Sequence, residues 1–218
     1  MAEDPLKNIV YISVPEELAT QIGNFQVDPS ILLPVETSSG PRQWEAEELT
    51  WEQVIAGMLK VLAYDRENEN LDYYREFVKT VRPEVINELT ETAILKARNR
   101  DYDLAEEIFR ALIGLQPDEP KGLLNLALLY EERADAYDKI GNEELKQRYL
   151  DRAFELYSDL LAFDELPADT FFNAGHFFLK VQNFARAKEL FERFIEESEE
   201  EEKTEQAREV VKKLQGQN

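Results

Sequence analysis

One histidine, His176, stands among the aromatics of the stretch Phe171 to Phe191, and the chain holds no cysteine. Imidazole is the side chain whose ordinary pKa lets it exchange protons near neutral pH, so His176 is the first residue to test for chemistry. Acid–base or metal work there needs a second group: another imidazole, a thiolate, or a carboxylate set apart from the rest. Without cysteine there is no thiol catalysis, no disulfide and no Cys-ligated metal, and one histidine excludes a multi-His site. Carboxylates are abundant, and adjacent pairs such as Glu131 and Glu132 recur, so nothing marks one pair as general acid and base. A glycine-rich phosphate loop and a nucleophile motif are both missing from the sequence. The expectation is a non-enzymatic protein with no catalytic, metal or cofactor-binding residue.

Charge narrows the partners. Forty-six acidic residues against 25 basic ones give a net charge of −21, which argues against nucleic-acid phosphates and anionic lipid headgroups. A protein segment that is neutral, apolar or basic is the more compatible ligand. The run Glu196 to Glu205 concentrates acid, and reads as a solvated helix end that could attract a basic partner. No apolar run is long enough for a transmembrane helix. Acidic residues stand near the N-terminus where a secretory leader carries basic ones, so the expected location is cytoplasmic.

The elements that would position a site come from periodicity. Residues 1–43 hold five of the nine prolines between the short apolar clusters Ile9 to Val14 and Ser30 to Glu36. That pattern predicts an extended arm lying against the body, with a short helix over Pro15 to Ile22 and a linker over Thr37 to Gln43. From Thr50 the period becomes helical. Trp51, Val54, Ile55, Met58, Leu59 and Leu62 share one face, and Thr50 with Gln53 forms a capping-box signature. A second helix carries Leu71, Tyr74, Phe77, Val78 and Val81 and stops before Pro83.

Further along, one pattern occurs three times. Phe171, Ala174, Gly175 and Phe178 are followed by Phe184, Ala187, Phe191, Phe194 and Ile195. Leu89, Thr92, Ala93 and Lys96 lead to Tyr102, Ala105, Phe109, Leu112, Ile113 and Pro117. Between them Leu123, Leu126, Ala127 and Tyr130 lead to Ala153, Tyr157, Leu160 and Leu161. These residues resemble the tetratricopeptide repeat, a helix-turn-helix unit of about 34 residues. Small residues at paired positions (Ala93 with Ala105, Ala127 with Ala153, Gly175 with Ala187) let the two helices of a unit approach, and aromatics fill the gaps. A single unit cannot bury its own apolar face, so copies must stack.

The resemblance implies an all-α fold, an α-solenoid of stacked helix-turn-helix repeats with an N-terminal extension and a C-terminal capping helix. The expected layout is an arm over 1–43, a helical pair over 44–85, repeats over 86–119, 120–167 and 168–201, and a cap over 202–218. The middle repeat exceeds the period by 14 residues, so each of its helices is expected to lengthen by two turns about a turn near Lys139 to Glu144. Such a hairpin would project by roughly 10 Å. The cap carries the stripe Ala207, Val210, Val211 and Leu214.

By the same resemblance, the first helix of each repeat lines a concave peptide-binding groove. The positions that match are Lys121, Leu124, Asn125, Leu128, Glu131 and Glu132 in the middle copy and Asp169, Phe172, Asn173, His176, Leu179 and Lys180 in the last, and all but the two glutamates are assigned to binding. Asn125 and Asn173 share one register, where family members use asparagine to bond an extended peptide's backbone, while the first copy has Glu91 there. The Lys/Arg clamp with which chaperone-binding members hold a terminal carboxylate is absent, its positions being Thr90, Ile94, Asp169 and Asn173. His176 thus has a groove position rather than a reactive one. The proline-punctuated arm either caps the first helices or fills a groove of its own or another subunit. The function expected is a non-catalytic adaptor or scaffold binding a protein segment, with self-assembly as a homo-oligomer, or a regulatory subunit of a larger complex, as the alternative.

Overall fold

The computed structural model describes residues 4–14, 21–37 and 49–216. Among these, strands β1 (Ile9–Ile12), β2 (Gln21–Ile22), β3 (Phe25–Gln26) and β4 (Leu33–Glu36) precede nine helices. These are α1 (Trp51–Tyr64), α2 (Leu71–Val81), α3 (Val85–Arg98), α4 (Tyr102–Leu115), α5 (Pro120–Lys139), α6 (Glu143–Leu160), α7 (Ala168–Lys180), α8 (Phe184–Glu197) and α9 (Glu201–Gln215). The fold is an all-α helical repeat with an N-terminal extension and a C-terminal helix. The chain divides into two compact units, Met1–Gly122 and Leu123–Asn218, with the boundary in the first turn of α5.

In the first unit the described N-terminal residues form two small sheets in spite of their prolines. β1 pairs antiparallel with β4, Val10 facing Val35, and β2 pairs with β3 across a two-residue turn that has Gly23 at φ +58. Phe25, Val27, Leu33 and Val35 are buried in one core with Met58, Val61, Tyr74 and Phe77. Gly57 on α1 is what lets β4 close in, because a Cβ there would run into the Pro34 carbonyl oxygen. The Tyr74 hydroxyl donates to the Leu32 carbonyl at 2.8 Å, and Lys60 pairs with Glu36 at 2.6 Å. The arm is therefore not simply extended: Gln21 and Ile22, placed in a helix by the sequence reading, are strand, and residues 15–20 of that helix lie outside the described residues. Thr37, assigned to a linker, is buried and donates both N–H and hydroxyl to the Asn8 carbonyl; residues 38–43 of that linker are not described.

α1 opens on the expected capping box, with Thr50 and Gln53 satisfying each other's backbone N–H. Val54, Ile55, Met58 and Leu62 are buried, whereas Trp51 is exposed at the helix start. α2 buries Tyr74, Phe77 and Val78, then ends at Val81 with Arg82 as its C-cap ahead of Pro83. α3 and α4 pack through Ala93 and Ala105, both fully buried.

The second unit is built on aromatic rings. Tyr157 stacks on Phe177 with centroids 4.7 Å apart, and Phe154 meets Phe178 edge-on at 5.6 Å, joining α6 to α7. Gly175 leaves only enough room for the Phe191 ring, which joins α7 to α8. α5 has 20 residues against 13 in α7, while α6 has 18 against 14 in α8. The middle hairpin is thus unequal. α5 gains two turns, α6 gains about one, and the remaining three inserted residues lengthen the loop 161–167. Tyr137 stacks on Tyr149 at 5.6 Å, and the Arg133 guanidinium lies 4.4 Å from the Tyr149 ring, so the added turns are zipped by aromatic and cationic contacts.

Candidate functional site: the α5, α7 and α9 face of the second unit

α7 begins after Pro167, which fixes its own φ and cannot extend the helix backwards. One face of α7 buries Phe171, Ala174, Phe177 and Phe178. Helical periodicity then turns Asp169, Phe172, Asn173, His176 and Lys180 the other way, where the structure leaves them exposed or half-buried. Phe172 and His176 are one turn apart and meet edge-to-face at 4.6 Å, and His176 is also edge-on to Phe191 at 4.9 Å. The residue stays accessible to solvent. The flanking rings nevertheless displace enough water to lower its pKa, burial outweighing the attraction of Glu131, so the imidazole is neutral at pH 7.

Glu131 on α5 is the polar centre of this face. It accepts a 2.7 Å hydrogen bond from the Tyr157 hydroxyl and pairs with Lys180 at 3.0 Å, and its side chain is only 13% exposed. Burial, reinforced by the Glu131 charge, pushes the Tyr157 phenol well above its ordinary range. Burial alone would lower the Lys180 pKa, but Glu131 and Asp135 more than offset it and hold the ammonium charged. Glu131, the carboxylate whose charge reaches His176, is thus already engaged by Tyr157 and Lys180. Among the described residues no group of three or more His, Cys, Asp or Glu side chains could hold a metal ion.

Of the ten residues assigned to a groove, nine lie in the second unit and Lys121 falls in the first. On α5, Leu124 and Asn125 are half-buried and Leu128 is 38% exposed; on α7, Leu179 is half-buried. The two asparagines differ. Asn173 donates its amide to the Asp169 carbonyl one turn back at 2.8 Å, a local bond that engages the donor a peptide would need. Asn125 makes no side-chain hydrogen bond among the described residues, so both its donor and its acceptor are available. Asp169 pairs with Lys203 of α9 at 3.0 Å, and that ammonium also faces the Phe172 ring at 5.9 Å. Sequence reasoning did not assign Lys203 to the site. The signal was a lone cation inside the acidic run Glu196 to Glu205, one turn from the cap's apolar stripe.

No protein-family profile matches the chain. Its relatives include the photosystem I assembly protein Ycf3 of Prochlorococcus marinus strains NATL1A and NATL2A, each 30% identical over 93 residues. The same protein of strain MIT 9301 is 28% identical over 96 residues. Each alignment covers 42% of this chain and 54% of the relative, so the chain spans about half the length of the relatives it matches. No described helix is long and apolar enough to cross a membrane.

Proposed function

We propose that this chain is a non-catalytic adaptor that binds a segment of another protein along α5 and α7 of its second unit, in the service of assembling a multi-protein complex. The observation that carries this reading is the pair Phe172 and His176, held edge-on at an accessible surface of α7 that also carries the half-buried Leu179, with Leu128 exposed on α5. Rigid aromatics at a surface give binding area at small entropic cost, the usual anchor of an interface. Asn125 supplies a backbone-bonding amide. Similarity to proteins named for photosystem I assembly supports an assembly role, with the repeats at 86–119, 120–167 and 168–201 as its modules. Acidic groups on the same face favour a neutral or basic segment.

A test is affinity co-purification from the source organism with Leu128→Ala, Phe172→Ala and His176→Ala combined, helix content being checked by circular dichroism. Loss of the co-purifying protein with helicity intact is the expected result; undiminished capture would count against the groove. Self-association is the second reading, favoured by Ile140, 73% exposed at the tip of the long hairpin. It requires a light-scattering mass above that of one chain that falls on Ile140→Ser substitution.

A further inference from the structure

The contact between α7 and α9 already holds a cation on the face proposed to bind a protein segment. Lys203 Nζ lies 3.0 Å from Asp169 Oδ1 and 2.8 Å from Glu200 Oε2, with the Phe172 ring centre at 5.9 Å. A carboxylate beside an aromatic face is the environment an ammonium or guanidinium group takes up when it leaves water. Building on the groove reading, we propose that Asp169 and Phe172 form a subsite for a Lys or Arg side chain of the bound segment, and that Lys203 fills it in the unbound chain and yields it on binding.

Three features make Lys203 the exchangeable cation. Its pair with Asp169 is exposed, the two side chains being 33% and 57% accessible, and such pairs are weak. Lys203 need not be left unpaired on leaving, because Glu200, the N-cap residue of α9, remains 2.8 Å away. The other lysine of the face is anchored instead: Lys180 bonds Glu131, which is 13% exposed and tied to Tyr157, and also Asp135. Each lysine is shared between two carboxylates, so both clusters stay net negative and an incoming cation improves the balance. The aromatic partner is fixed in place, since Phe172 packs edge-on against His176 and lies 4.9 Å from Phe194.

The experiment titrates the full chain with three acetylated, amidated peptides, Leu-Lys-Leu-Lys-Leu and its Ser and Glu counterparts, following backbone amide shifts by NMR. Lys203→Ala should tighten the lysine peptide by about two- to fivefold and leave the serine peptide unchanged. Lys213→Ala, which removes the same charge from an exposed site on α9, should give less than half that gain. Asp169→Asn combined with Lys203→Ala should abolish it. Equal gains in the two lysine variants, or a gain that survives Asp169→Asn, would overturn the subsite. A lysine peptide that binds no better than the serine peptide, while both shift α5 and α7 amides, defeats the subsite and leaves the groove standing. Peptides that leave those amides unmoved defeat both.

Discussion

Flanking rings set the chemistry of His176. Its folded pKa lies below the ordinary 6.5, so on acidification the unfolded chain takes up the proton first. The stability that comes from a neutral imidazole is complete above that value and is lost as the pH falls from 6.5 through the lowered folded value. Thermal melts of the wild type and His176→Gln should therefore diverge across this window, the wild type losing more; parallel melting curves would show that the rings do not perturb the imidazole. Tyr157 makes the second residue-level case. Its fully buried hydroxyl bonds a carboxylate that also holds Lys180, so Tyr157→Phe should destabilise by about 1–3 kcal/mol in urea unfolding. The resemblance to a helical repeat was enough to expect Phe172 and His176 on one face of α7, where the structure leaves Phe172 half-buried and His176 exposed. It could not show that Asn173 bonds its own helix, or that Lys203 reaches Asp169, because a side chain's partner depends on which elements pack together.

At the scale of elements the helices were the most legible part, since each repeats its apolar positions within a few residues and carries its own stop signals. Arg100 and Gln182 occupy the same turn of two repeats and both have positive φ, 62 and 60, and Gly141 has φ 72 in the turn of the long hairpin. That left-handed backbone is costly for a residue with a Cβ. Gln182→Gly should therefore stabilise the chain by about 0.5–1 kcal/mol, with a matching rise in melting temperature; a fall would mean that the entropy of the added glycine outweighs the strain. The N-terminal sheets were illegible for a physical reason. β1 and β4 are separated by 20 residues, and β4 includes Pro34, which reads as a strand breaker. Pro34 is tolerated at this sheet edge, where its carbonyl abuts Gly57 rather than a further strand. The long hairpin was legible in total length only. How the 14 extra residues divide between α5, α6 and the following loop depends on where loop 161–167 lets α7 dock.

For the molecule as a whole, a net charge of −21 and the sharing of Lys180 and of Lys203 between two acids each support the proposal of a basic or neutral protein segment as ligand. The relatives named for photosystem I assembly match about half their own length, so the adaptor role rests on the face formed by α5, α7 and α9 more than on that likeness. The measurement that tests it most directly is site-specific photo-crosslinking in the source organism, with a photoreactive residue at Leu128, at His176, or at Glu155 on the exposed side of α6. The account expects the same partner protein to be captured from positions 128 and 176, and not from 155. Capture from 155 alone, or from all three positions alike, would contradict it.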